Sequence, residues 1–254
     1  MSFRSELIAQ HTLLAASLVP LLAGTSAQTP VALAGSPALS GPMLSEEMLA
    51  KLEAYFSLLV KWNRTVDLVA PASIAELVQR HFIDSLALEY LFSVQAVNRV
   101  VCSLLDIGSG AGFPGLVGAV LDPERKVYLC EPRQKRCVFL KEAKRALKLK
   151  NVSVIPNGAE SVSEQSIELV DVSVSRALGN DPLFLRSSLR LLSDSGLALQ
   201  MLGPSWKLAD ENRCVRYEKK TLNFSDKVPY SLSAGGPQRV LAVWSVSRET
   251  FPPP

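Results

Sequence analysis

Leu104-Leu105-Asp106-Ile107-Gly108-Ser109-Gly110-Ala111-Gly112-Phe113-Pro114-Gly115-Leu116 is the stretch that decides how this chain is read. An apolar run from Ser103 to Ile107 stops at closely spaced glycines and resumes with apolar residues at helical intervals. The pattern predicts a buried strand, a tight turn and the start of a helix. Glycine carries no Cβ, so Gly108, Gly110 and Gly112 let a ligand approach the backbone closely. The helix that follows offers unpaired N–H groups and the positive end of its dipole. Such a turn suits the anionic or polar part of a nucleotide-like cofactor. Three glycines this close are too costly in chain entropy to serve an idle turn.

The spacing narrows the reading. A dinucleotide fingerprint is G-x-G-x-x-G, and Phe113 stands where its third glycine belongs. What remains is G-x-G-x-G preceded by Leu-Asp-Ile. Beyond Ser103, strands are predicted at 103–107, 126–130, 152–155, 170–174, 196–201, 215–222 and 239–246. Helices are predicted at 114–121, 134–148, 182–191 and within 205–212. This alternation implies an α/β fold with a doubly wound, mainly parallel sheet. The last two strands lack a helix between them. They are expected to be antiparallel neighbours at the sheet edge, joined through Ala234-Gly235-Gly236-Pro237.

Upstream, Ser45-Glu46-Glu47-Met48 is a capping-box-like start. Met48, Leu52, Tyr55, Phe56 and Leu59 then recur at helical intervals, so 44–63 is an amphipathic helix. A second helix is predicted over 73–90, with Leu77, Phe82, Leu86 and Tyr90 as its apolar face. Three parts follow: an extension and linker over 1–42, possible ground for disorder; a helical subdomain over 43–100; and the glycine-turn domain over 101–254. Within the first part, Leu13 to Gly24 is apolar but interrupted by Pro20, and too short to span a bilayer. Arg4, the apolar run and Ala23-Gly24-Thr25-Ser26-Ala27 have the outline of a secretory leader, against which stands Glu6. A loosely packed extension, or a true start at Met43, fits as well.

With 254 residues, 48% hydrophobic and 20% charged, the composition is that of a globular protein. The net charge of +3 is compatible with an RNA partner without requiring one. Cys102, Cys130, Cys137 and Cys214 form no C-x-x-C pair, and His11 and His81 are far apart. No metal site and no disulfide framework is expected, and the thiols read as reduced in a cytoplasmic protein.

Several residues carry chemistry by position. Glu131 ends the second strand about twenty residues after the turn, where an acid accepts hydrogen bonds from ribose hydroxyls. Asn157-Gly158-Ala159-Glu160 follows the third strand, where the loop is expected either to lie beside an adenine or to be a plain turn. Arg176 ends the fourth strand, at the switch point with the first, poised over a crevice. Between Arg133 and Lys150 there are eight Lys or Arg residues and one acid, Glu142. That helix face suits a phosphate backbone, though a solvated face explains it equally well. His81 and Asp84, three apart on one helix, read either as functional or as a polar tie to the next domain.

Taken together, Leu59-Val60-Lys61-Trp62-Asn63, Arg80-His81-Phe82-Ile83-Asp84-Ser85-Leu86, the stretch from Leu105 to Gly115 and Ser175-Arg176-Ala177 resemble the glucose-inhibited division protein B family. Its members, called RsmG, are small-subunit ribosomal RNA guanine-N7 methyltransferases. The resemblance spans roughly 44–246. It implies a Rossmann-like methyltransferase domain over 101–254 that uses S-adenosylmethionine. Cofactor contacts are implied at Gly108, Phe113, Ala159, Glu160 and Arg176, with Glu131 at the family's acidic position. The turn residues Asp106, Ser109, Gly110 and Gly112 belong to the same cofactor site. Arg176 and Arg239 are candidates for positioning RNA phosphate or the guanine. The implied substrate is a guanine in the decoding-region loop of 16S ribosomal RNA, presented within a ribosomal particle, to a monomer that meets no membrane. The chain departs from the family's usual pattern at Asp67 and Val69, and Leu202 stands where a Lys is usual. Two rivals therefore stay open: a catalytically weak RNA-binding or assembly factor, and a methyltransferase acting on a protein or small molecule.

Overall fold

A computed structural model of the chain describes residues 2–23, 44–92, 97, 100–163, 165–176, 181–204 and 214–248. The helix expected within 205–212 lies outside the described residues.

The carboxyl-terminal part is one eight-stranded sheet in the order β3-β2-β1-β4-β5-β8-β7-β6. Its strands are β1 (Ser103–Ile107), β2 (Lys126–Cys130), β3 (Val152–Ile155), β4 (Val170–Arg176), β5 (Leu192–Leu202), β6 (Cys214–Tyr217), β7 (Lys220–Tyr230) and β8 (Arg239–Arg248). The first five pair in parallel, and β8 joins them antiparallel through β5. Three helices alternate with the strands: α5 (Gly115–Leu121), α6 (Gln134–Ala146) and α7 (Asp181–Leu191). The doubly wound sheet expected from the alternation is thus present, with the strand order reversing between β1 and β4. The strand expected over 215–222 is instead an antiparallel hairpin of β6 and β7, turned at Glu218, whose φ is +53°. The two strands read as one run because the turn contains no glycine or proline, and β7 extends beyond the expected end, to Tyr230.

Alternation along the strands divides the core. Leu104, Val127, Leu129, Val172, Val174 and Leu199 face the helical side. Leu105, Ile107, Cys130, Ala198 and Trp244 face α7. A two-sided apolar burial of this kind is what parallel strands require.

The helical subdomain contains α2 (Glu46–Trp62), α3 (Ile74–Leu77), a π-helical segment (Val78–Ile83) and α4 (Asp84–Leu91). Ser45 caps α2, accepting from the Met48 N–H, and Ser73 with Glu76 forms a capping box. The expected helix over 73–90 is present, but its middle widens into the π turn. A buried bidentate pair ties this subdomain to the sheet. Arg125 Nη1 and Nη2 donate to Glu89 Oε1 and Oε2 at 2.7 and 2.9 Å, with side-chain exposures of 7% and 9%.

The reading of residues 1–42 as an extension is corrected over its first half. Helix α1 (Phe3–Ala23) packs into the subdomain, burying Leu7, Leu14 and Leu18. Phe3 stacks on Phe56 with ring centroids 4.4 Å apart, and Arg4 bonds Glu53 and Glu46. Leucines seven and four apart form a helical stripe that needs a partner surface. The Ala- and Leu-rich composition hid that stripe. Residues 24–43 lie outside the described residues. Among the described residues no helix is long and apolar enough to cross a membrane, and no cluster suited to a metal ion occurs.

Candidate active site at the carboxyl ends of the central strands

The turn after β1 is fastened from below. The N–H groups of Gly108 and Ser109 both donate to the Cys130 carbonyl, at 2.8 and 3.1 Å. Gly112 lies at φ +99°, and a Cβ there would fall 2.4 Å from Leu116 Cδ1. Gly115 is confined differently. A Cβ on it would meet Leu129 Cδ2 at 2.4 Å and Asp106 Oδ2 at 2.8 Å. The Tyr55 hydroxyl of α2 reaches across to donate to the Ala111 carbonyl.

Two buried carboxylates hold this floor. Asp106 Oδ2 accepts the Gly115 N–H at 2.9 Å, while Oδ1 is buried without a hydrogen-bond partner. Burial pushes this carboxyl up to about 7, against the opposing pull of the Gly115 N–H and the Arg176 charge. Glu131 accepts the Gly110 N–H on Oε2 and the Arg133 N–H on Oε1, each at 2.9 Å. Each of its oxygens keeps a lone pair for a further donor.

A different arrangement closes the opposite side. At the end of β4, Arg176 donates through Nη1 to the Arg80 carbonyl at 2.6 Å, and that nitrogen lies 3.4 Å from Asp84 Oδ2. Its Nη2 lies 2.9 Å from His81 Nδ1. Arg239 Nη1 on β8 stands 3.6 Å from the same Asp84 oxygen, and the Tyr230 hydroxyl on β7 donates to Oδ1 at 3.0 Å. Asp84 is thus a buried carboxylate serving two guanidiniums and a phenol. Burial, then the charges of Arg176, Arg80 and Arg239, push the His81 imidazole down to about 3, so it is neutral near pH 7. Its ring stacks on Phe113, centroids 5.1 Å apart.

Between floor and wall lies a cavity of about 490 Å³. Of the residues picked out by sequence, Gly108, Ser109, Gly110, Phe113, Glu131 and Arg176 line it. Asp106 and Gly112 stand behind the floor, and Arg239 behind Asp84. Ala159 and Glu160 do not line it. Ala159 is buried, and Glu160 borders a separate cleft of about 570 Å³ beside α7.

The sequence reading passed over Leu68, Val69, Ala70, Pro132, Arg133 and Arg136 as lining residues. Asn63 places two of them. Its Oδ1 accepts the N–H groups of Leu68 and Val69, and its Nδ2 donates to the Val69 carbonyl. Arg136 donates to the Asp67 carbonyl at 2.9 Å. Asp67 therefore acts here through its backbone carbonyl, and Val69 through its backbone and a side chain packed against the core. Asn63 directly after the helical pattern of α2 was the available sequence cue.

The model of one protein family matches residues 48–238: GidB, rRNA small subunit methyltransferase G. The chain belongs to this family. Curated relatives agree. Ribosomal RNA small subunit methyltransferase G of Lachnoclostridium phytofermentans is 30% identical over 83% of this chain and 86% of its own length. That of Leuconostoc citreum is 30% identical over 83% and 88%. That of Ruthia magnifica is 36% identical over 65% and 76%. Among solved structures, M. jannaschii TYW2 in complex with AdoMet is 16% identical and covers 57% of this chain and 68% of that one, with a TM-score of 0.42. The family makes this chain a methyltransferase.

Proposed function

We propose that this methyltransferase moves a methyl group from S-adenosylmethionine to N7 of a guanine in the decoding-region loop of small-subunit ribosomal RNA. The observation that carries the reading is the cavity itself. A glycine-and-carboxylate floor meets an arginine-bearing wall at the switch point of a chain in this family.

The residues present fit that cofactor. Glu131 has lone pairs for ribose hydroxyls. The buried, unpaired Oδ1 of Asp106 gives a cationic ligand a carboxyl nearby. When bound, S-adenosylmethionine supplies a methyl group made electrophilic by its sulfonium. Ala159 and Glu160 are retained as candidates for the adenine side, although they do not line the cavity. Gly108, Ser109, Gly110, Gly112 and Phe113 shape the floor. Arg176, which lines the cavity, would hold the cofactor or the RNA there, and Arg239 shares its anchor, Asp84.

Guanine N7 carries a lone pair and no proton, so no general base is needed before attack. Catalysis then rests on positioning and on excluding water. Binding of the RNA draws on α6. Arg133 and Arg136 stand at the cavity. Lys141, Lys144, Arg145, Lys148 and Lys150 surround a depression of about 630 Å³ near its other end. The helix separates the two groups by roughly 15–20 Å at 1.5 Å per residue. Such a stripe suits a folded RNA surface in a ribosomal particle better than a small molecule. The protein acts as a monomer in the cytoplasm in this reading.

The test is transfer of labelled methyl to small ribosomal subunits lacking the modification, followed by nucleoside mass analysis. Label is expected as 7-methylguanosine. Label in protein, or none despite cofactor binding, rejects the proposal. In the same assay Arg176→Ala is expected to lower turnover by about a hundredfold, as loss of a charged positioning contact does. An unchanged rate removes Arg176 from that role.

A further inference from the structure

The cluster that the methyl-transfer reading leaves unexplained is the imidazole between Arg176 and the cavity. We propose that the Nε2–H of His81 donates to the exocyclic O6 of the acceptor guanine and so leaves the neighbouring N7 free to attack. The inference rests on the guanine-N7 reading and assigns a base-orienting residue within it.

The tautomer follows from the partners. A guanidinium only donates, so His81 Nδ1, 2.9 Å from Arg176 Nη2, must accept. A neutral ring accepting at Nδ1 carries its proton on Nε2. That nitrogen has no protein partner among the described residues and is not sealed from solvent. The side chain itself lines the cavity. The charged groups around the ring are Arg80 and Asp84 on its own helix, Arg176 on β4 and Arg239 on β8, with Tyr230 on β7 bonded to Asp84. The three arginines and burial together keep the ring unprotonated. Stacking on Phe113 and the π turn beneath it fix the ring's direction. Single π turns inside α-helices recur where a side chain is re-aimed at a site.

The guanine edge explains why such a donor is useful. O6 and N7 lie side by side and both accept, so Arg or Lys commonly reads them together. An enzyme that methylates N7 cannot let a protein donor occupy that lone pair. A neutral imidazole has one N–H in this direction and can bond O6 alone. It also places no extra positive charge beside a purine that becomes cationic as the methyl arrives.

The test compares variants of the full chain on modified and unmodified substrate. His81→Asn keeps an acceptor near Nδ1 for Arg176 but loses the donor that reaches the cavity. His81→Gln places an amide N–H near the position of Nε2. With small subunits, His81→Asn is expected to lower turnover about ten- to a hundredfold while cofactor Kd stays within about twofold. His81→Gln is expected to recover about tenfold of that. Subunits reconstituted with 2-aminopurine at the mapped target lack O6. On them wild type is expected to be slow and His81→Asn to cost nothing more. A purely structural role predicts the same penalty on both substrates, and that result overturns the inference. So does a wild-type rate for His81→Asn, or a fall in cofactor affinity that matches the fall in turnover. Wild-type protein that makes no 7-methylguanosine instead overturns the guanine-N7 reading, and this inference with it.

Discussion

The floor and the wall of the cavity are built on opposite plans. On the floor, backbone N–H groups and glycines do the shaping, and Asp106 and Glu131 hold the backbone from beneath. On the wall, the shaping groups are side chains: Arg176, Arg239, His81 and Tyr230 converge on or around one carboxylate, Asp84. Floor elements are consecutive in sequence, from β1 to the end of β2. Wall elements come from the π segment, the start of α4, β4, β7 and β8, and meet only because the sheet order brings β4, β5, β8 and β7 side by side. A backbone floor suits a ligand whose recognition is mainly close approach. A side-chain wall suits the part of the reaction that distinguishes one substrate from another.

Breaking the wall at its anchor has the largest expected effect. Asp84→Ala leaves two guanidiniums without their carboxylate and Tyr230 without its acceptor, with Asp84 only 1% exposed. Stability should fall by about 3 kcal/mol, read as a lower urea midpoint, and turnover should fall further than cofactor affinity. A variant as stable as wild type would show that the arginines find solvent without cost. The floor should fail in the reverse order. In Gly115→Ala the new methyl meets Leu129 and Asp106, which lowers stability by about 1–3 kcal/mol. Cofactor binding is expected to weaken at least tenfold, before any effect on RNA affinity. Equal losses of both ligands would erase the distinction between floor and wall.

The pH dependence sharpens the floor alone. The Asp106 carboxyl is held near 7 when folded and near 4 when unfolded, so the folded state holds its proton more tightly. Stability from this group is complete below about pH 4 and is lost as pH rises to about 7, at up to about 1.4 kcal/mol per unit. In Asp106→Asn that slope should vanish. A constant stability difference between the two proteins from pH 4 to 8 would mean that the carboxyl is already ionised. The smallest effect concerns neither floor nor wall. Lys144→Ser with Lys148→Ser should leave stability within about 0.5 kcal/mol. The double variant should flatten the salt dependence of subunit binding by about two in log-log slope. An unchanged slope would make that end of α6 a solvated face.

Legibility in the sequence followed the same division. The floor was readable because its residues are local. Gly108, Gly110 and Gly112, and Glu131 at the next strand's end, each have a positional reason visible in one dimension. β1, β2 and β3 were expected with the bounds they have. The wall was readable only in fragments. His81 and Asp84 stood out as a polar pair on an apolar helix, and Arg176 by its place at a strand end. Nothing in the sequence alone links Tyr230 to Asp84 across 146 positions. Arg136 looked like one cation in a basic run until its bond to the Asp67 carbonyl set it beside the cavity. The Leu7, Leu14 and Leu18 stripe of α1 was lost among alanines and leucines, because periodicity is weak where most residues are apolar.

The π turn also limits what insertions and deletions this chain can tolerate. A π turn carries one residue more than an α turn within the same helix. Removing one residue between Val78 and Arg80 would return the segment to ordinary winding. The turns on either side would stay in register, so Leu77 and Asp84 would keep their faces, while the widened turn that aims His81 would be lost. A one-residue gap in this helix therefore marks a chain that aims its wall differently.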